Sequence, residues 1–146
     1  MYKRQAVGQP GGQADLVEQR DQHLGLLEVR DRLDGQQVGT GGGQPLSEAF
    51  AVAAGSTALV ATGVNCCAPD DVLPALELAS TASGLPGVAY PNSGQGWDSG
   101  THTWTGSTSY DVQLAPGWVA AGAAYVGGCC QVGPDDIAAL VALLHR

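Results

Sequence analysis

Between positions 33 and 145 the chain has no lysine and no arginine. Five of its six basic residues (Lys3, Arg4, Arg20, Arg30, Arg32) fall within the first 32 positions, and the net charge is −8. That balance excludes nucleic acid as a partner, because neutralising phosphate needs clustered cations. Aromatic residues are scarce, at 5%. No apolar run approaches the roughly 18 residues of a membrane span, so no membrane partner is expected. Basic Met1-Tyr2-Lys3-Arg4 is not followed by an apolar segment, and no signal peptide is read. The expectation is a reducing cytoplasm, where cysteines more often act as ligands or nucleophiles than as disulfides.

Also lacking is the C-x2-4-C spacing of a closed, structural zinc site. The four cysteines are Cys66, Cys67, Cys129 and Cys130. At 146 residues the chain can hold one core. It is short of the roughly 250 residues of a full (β/α)8 barrel.

Composition changes abruptly near Gly39-Thr40-Gly41-Gly42-Gly43. Eight of the eleven glutamines precede Pro45, whereas every cysteine and tryptophan follows it. Residues 1–43 read as a poorly ordered or unrelated segment. In it Leu16-Val17, Leu24 and Leu26-Leu27 could line a weak helix face. Residues 44–146 read as the folded part.

In that part the pattern becomes regular. A short helix is expected from Pro45 to Ala53. Ala58-Leu59-Val60-Ala61-Thr62-Gly63-Val64 has the length and apolar continuity of a strand buried on both faces. A helix follows over residues 70–82, with Asp70 and Asp71 at its positive end and Pro74 delaying its regular start. Gly87-Val88-Ala89-Tyr90 is the second strand. A long polar loop then leads into a helical pattern over residues 110–121, which Pro116-Gly117 interrupts. Ala123-Ala124-Tyr125-Val126 is the third strand, and Pro134 opens a last helix with an apolar stripe at Ile137, Leu140, Val141 and Leu144. Strand starts about 29 and 36 residues apart have the spacing of successive βα units. The fold class is α/β with a parallel sheet.

In such a sheet the C-terminal strand ends share one edge, where sites are built. Cys66-Cys67 end the first strand and Gly127-Gly128-Cys129-Cys130 the third, so cysteines about 63 positions apart can meet. A catalytic metal held by three protein ligands, a disulfide, or plain packing of small apolar thiols are all open on these residues. Asn65 also ends the first strand, and Asn92 and Ser93 follow the second. Each is a candidate for the cleft, against the simpler reading of strand ending and turn formation. Tyr90 reads as core, and His23, His102 and His145 have no partner pattern.

Three motifs carry a resemblance. Gly63-Val64-Asn65-Cys66, then Tyr90-Pro91-Asn92-Ser93-Gly94 with Trp97-Asp98 and Trp104, then Trp118-Val119-Ala120-Ala121-Gly122-Ala123 running into Gly127-Gly128-Cys129-Cys130 resemble the homocysteine S-methyltransferase family. Their order and spacing are similar to the family's over about 100 residues. The resemblance implies about three βα units from the C-terminal part of a (β/α)8 barrel. It implies Zn2+ held by Cys66, Cys129 and Cys130, with Cys67 outside the ligand set. Homocysteine would be methylated to methionine by S-methylmethionine or S-adenosylmethionine. Asn65 is then expected to support the metal, and Asn92 and Ser93 to face substrate. Gln95 stands where many relatives have Glu. The family's early-strand acidic residues have no counterpart, which implies a complementing barrel half as a partner. The alternative is an inactive zinc-binding remnant of that barrel.

Overall fold

A computed structural model of the protein describes residues 23–28 and 44–145. Four parallel strands lie side by side in chain order: β1 (His23–Glu28), β2 (Leu59–Asn65), β3 (Gly87–Tyr90) and, beyond an excursion, β6 (Ala123–Val126). Between them run α1 (Leu46–Ala51), α2 (Pro69–Ser83) and α3 (Ala115–Ala120), and α4 (Pro134–Leu144) follows β6. The excursion holds an antiparallel hairpin of β4 (Gly96–Asp98) and β5 (Thr103–Thr105). Strand order without reversal means that successive units wind the same way, as in a barrel wall. The parallel α/β class expected from the sequence is what is observed. No helix among the described residues is long and apolar enough to cross a membrane.

Alternation along the strands divides the apolar residues between two faces. Val64, Ala89 and Val126 pack with Leu46 and Phe50 of α1, Val72, Leu76 and Ala79 of α2, Trp118 of α3 and Leu140 of α4. Ala61, Val88 and Tyr90 gather with Tyr125 in a separate cluster. Val88 and Tyr90 alternate with Ala89, so this second cluster belongs to the other face. Every helix thus contributes to one side, which leaves the C-terminal strand edge open for a site.

The helices follow their signals. On α2, buried Val72, Ala75, Leu76 and Ala79 recur at three- and four-residue steps, and Gly84 ends the helix with φ of 69°. Pro74 does not delay the start, since α2 begins at Pro69. It lies close enough to the first turn that its missing N–H leaves only the carbonyl of exposed Asp70 without an intrahelical donor. The third helix is shorter than expected. A 3₁₀ turn (Val112–Leu114), capped by Asp111 accepting from the Gln113 N–H at 2.8 Å, precedes six helical residues. Pro116 sits in that first turn, where it is tolerated. On α4 only Leu140 of the predicted stripe is fully buried, and Val141 is 37% exposed.

Two elements differ from the sequence reading. Residues 23–28, given there to a weak helix face, form a strand whose partners run from His23↔Leu59 to Glu28↔Asn65. Leu24 and Leu26 flank Gly25, a period-2 pattern too short to separate from a helical one, and pairing to an apolar parallel neighbour decides it. The rest of residues 1–43 lies outside the described residues. The β4–β5 hairpin stands where the sequence reads as a long polar loop.

Gly63 shows how closely the strands approach. A methyl group there would fall on the Val88 carbonyl oxygen, with the Val88 nitrogen at 2.5 Å. Both are backbone atoms, so relief requires shifting β3. Gly63→Ala should cost about 3 kcal/mol, lowering Tm by roughly 10 °C. An unchanged melting curve would mean the two strands are not held this tightly.

Candidate metal centre

β2, β3 and β6 end together, and their ends are laced by backbone hydrogen bonds. The Cys66 N–H donates to the Tyr90 carbonyl at 2.8 Å, and Gly127 N–H to Ala89 at 3.0 Å. The Cys129 N–H donates to Pro91 at 2.7 Å, Asn92 N–H to Cys67 at 2.9 Å, and Ser93 N–H to Cys130 at 3.0 Å. The segment after β3 is therefore the keystone, holding the two cysteine-bearing ends against each other. Cys66 itself has φ of 60°, a left-handed conformation uncommon outside glycine, and Gln131 after the paired cysteines has φ of 61°. Both turn the chain sharply at the thiols.

The Sγ atoms of Cys66 and Cys130 lie 3.4 Å apart, those of Cys129 and Cys130 3.9 Å, and all three fall within 4.8 Å of one another. All four cysteines are free. A tetrahedral ion with metal–sulfur bonds of about 2.3 Å holds its sulfurs ~3.8 Å apart. The three thiols fit that requirement with little movement. Cys67 points elsewhere: it is 2% exposed, part of the core beneath the site, and burial pushes its thiol up to about 12.

Burial likewise raises the Cys129 thiol, and contact with Cys66 adds to it. The Cys130 thiol is pushed up to about 12, first by burial and then by Cys66 and Cys129. Thiols packed together resist a second negative charge unless a cation compensates it. A cation placed among the three thiols would compensate that charge and displace their protons.

The polar residues divide by role. Asn92 donates from Nδ2 to the Cys66 carbonyl at 2.9 Å, while its Oδ1 accepts from Gly94 N–H at 2.7 Å. Ser93, 1% exposed, bonds Gln95 Oε1 through its hydroxyl at 3.1 Å, and its carbonyl receives the N–H groups of Ser109 and Tyr110. Both are engaged in bracing the turn. Asn65 is half-buried at the end of β2. Sequence reasoning missed how far Asn92 and Pro91 anchor the cysteine loops. An Asn directly after X-Pro at a strand end was the available signal.

The homocysteine S-methyltransferase family profile matches residues 29–144. The chain belongs to that family. It is 44% identical over 103 residues to the homocysteine S-methyltransferase of Escherichia coli (strain K12), covering 68% of this chain and 33% of that relative. The apo form of the homocysteine methyltransferase MmuM from Escherichia coli superposes with a TM-score of 0.55 at 39% identity, over 70% of this chain and 34% of that one. Its metallated form gives 0.54 at 40% identity, over 69% and 30%. The chain thus spans about a third of the length of the curated relatives it matches. The motifs that carried the resemblance lie within the matched stretch.

Proposed function

We propose that this chain is the thiol-activating, zinc-binding part of a homocysteine S-methyltransferase, built as a portion of a (β/α)8 barrel, in which Cys66, Cys129 and Cys130 hold the metal. The observation that carries the reading is the convergence of three thiols within 4.8 Å at the C-terminal ends of β2 and β6 in a chain of this family. Three protein ligands leave a fourth position for a substrate thiol. Bound there, zinc would keep the homocysteine sulfur deprotonated near neutral pH as the nucleophile toward a methyl group of S-methylmethionine or S-adenosylmethionine. The chain's own residues set up that chemistry. Cys66 comes from one strand end and the Cys129-Cys130 pair from another, so a fourth ligand would approach between the two ends. Asn65, which ends β2 directly before Cys66, is the polar group proposed to support the metal, and Asn92 and Ser93 are proposed to face the substrate side. Free thiols at this density suit a reducing compartment such as the cytoplasm.

X-ray absorption at the zinc edge tests the reading without a methyl donor. The zinc-loaded chain should show three sulfurs and one lighter atom in the first shell, becoming four sulfurs on adding homocysteine. A shell that homocysteine leaves unchanged overturns it.

Asn92 provides a second check. Asn92→Asp keeps an acceptor for Gly94 but sets an oxygen against the Cys66 carbonyl. Zinc affinity, measured by chelator competition, should fall about tenfold or more, as for other outer partners of metal ligands. Unaltered affinity would leave Asn92 a turn former only.

A further inference from the structure

Ser93 is bonded to the cysteine cluster and to the base of the β4–β5 hairpin at once. Its N–H donates to the Cys130 carbonyl at 3.0 Å. Its own carbonyl accepts from Thr108 Oγ1 at 3.0 Å and from the N–H groups of Ser109 and Tyr110 at 2.8 and 3.2 Å. The chain leaves this point at Gly94, runs through the hairpin and returns at Thr108. The two ends pass so closely that a Cβ at Gly94 would fall on the Ser109 side chain.

Gln95 spans the neck of that excursion. Its Oε1 accepts from the Ser93 hydroxyl at 3.1 Å, and its Nε2 donates to the Gly106 carbonyl at 3.2 Å. The polarity is fixed. A carbonyl can only accept, so the amide nitrogen faces Gly106 and the amide oxygen is left for the hydroxyl. Gln95 and Gly106 directly flank the paired strands, whose outermost rung is Gly96↔Thr105. One side chain thus joins both ends of the hairpin and ties them to the buried residue that holds the loop of Cys130.

We propose that Gln95 is a positioning residue for the metal centre. Its amide holds the hairpin closed on Ser93 and, through the Ser93 N–H, keeps the Cys130 loop in the arrangement that sets the Cys130 thiol 3.4 Å from that of Cys66. This rests on the metal-binding reading of the three cysteines. Without the clasp the neck is free to open in the metal-free chain. An ion then has to select the closed fraction, and its apparent affinity falls by that fraction. Linkage requires the converse: an ion that pins Cys130 favours the closed hairpin by the same factor.

The test adds zinc alone to the full chain while NMR follows the indole N–H signals of its three tryptophans. Trp97 and Trp104 pair across the hairpin with ring centroids 5.2 Å apart and report its closure, whereas Trp118 in the core reports the fold. In the parent the two hairpin signals should stay dispersed with or without zinc. In metal-free Gln95→Ala they should move toward each other and separate again on adding zinc, with Trp118 unmoved. Zinc affinity by chelator competition should fall roughly three- to tenfold, less than for a group bonded directly to a metal ligand. Gln95→Glu keeps the acceptor for Ser93 but sets a carboxylate oxygen against the Gly106 carbonyl, so at neutral pH it should behave like Gln95→Ala. Hairpin signals that move in both variants while zinc affinity holds would make Gln95 a local turn brace and overturn the proposal. Parent-like behaviour of either variant would overturn it too. A parent chain that takes up no zinc would sink the metal reading and this proposal with it, whereas tight parent binding that neither variant weakens would sink this proposal alone.

Discussion

Cys66→Ser, Cys129→Ser and Cys130→Ser will each abolish tight zinc binding, whereas Cys67→Ser will leave the stoichiometry at one ion per chain. The three sulfurs already stand at separations that a tetrahedral ion accepts, and removing any one leaves a two-thiolate site. With zinc–thiolate sites of about 10–16 kcal/mol in total, each ligand accounts for roughly 3–4 kcal/mol, or more than a hundredfold in affinity. Serine is a poor substitute because its hydroxyl is far harder to deprotonate than a thiol. Cys67 has a different cost. Its side chain is in the apolar core beneath the site, and a hydroxyl there should destabilise the fold by about 1–3 kcal/mol. Melting temperature and zinc content therefore separate the two classes of variant. Zinc loss in Cys67→Ser equal to that in Cys66→Ser would break the three-ligand assignment.

The same binding should depend on pH in one direction. Burial and mutual contact raise the Cys129 and Cys130 thiols. Uptake of zinc must displace their protons at neutral pH, so affinity rises with pH. That trend would be missing from an ion held by surface carboxylates.

What the sequence made legible was set by contrast in pattern. β2, β3 and β6 stood out because short, continuous apolar runs were bounded by glycine and proline, and their spacing required helices between them. Parallel topology brings the ends of β2 and β6 to one edge, so that their cysteines can meet; that Cys66 and not Cys67 joins Cys129 and Cys130 was implied by the family resemblance, and the turn after β3 is what holds the two ends together. β1 was missed for the opposite reason. His23–Glu28 has only a weak alternation, and its pairing energy comes from a neighbour 36 residues later. The hairpin escaped because strands of three residues leave no period to read. Its stability comes from the Trp97–Trp104 pair and the Asp98 turn, contacts a propensity scan cannot see. The left-handed Cys66 was likewise invisible. Non-glycine residues adopt that conformation when tertiary bonds enforce it, here the Cys66 N–H to Tyr90 and the Asn92 amide to Cys66.

Methionine formation by this chain alone will stay near background, and fusion to the N-terminal two thirds of a relative will raise it by several orders of magnitude. Activating a thiol lowers only part of the barrier. Holding nucleophile and methyl donor in near-attack geometry supplies roughly 7–11 kcal/mol more. The described residues offer three thiols, a braced rim and an aromatic hairpin. From residue 33 to residue 145 they offer no lysine or arginine to grip a substrate carboxylate. Those residues therefore give the amino-acid end of homocysteine little to align against. Ligand sets without alignment bind and activate, but they do not position. The measurement is methionine produced from homocysteine with S-methylmethionine or S-adenosylmethionine, by the zinc-loaded chain and then by the fusion. Turnover in the fusion that disappears with Cys130→Ser would tie the reaction to this cluster. Brisk turnover by the chain alone would mean that alignment is supplied here after all. A fusion that folds and binds zinc but stays inactive would favour a zinc-binding remnant, because positioning would then have been restored without recovering chemistry.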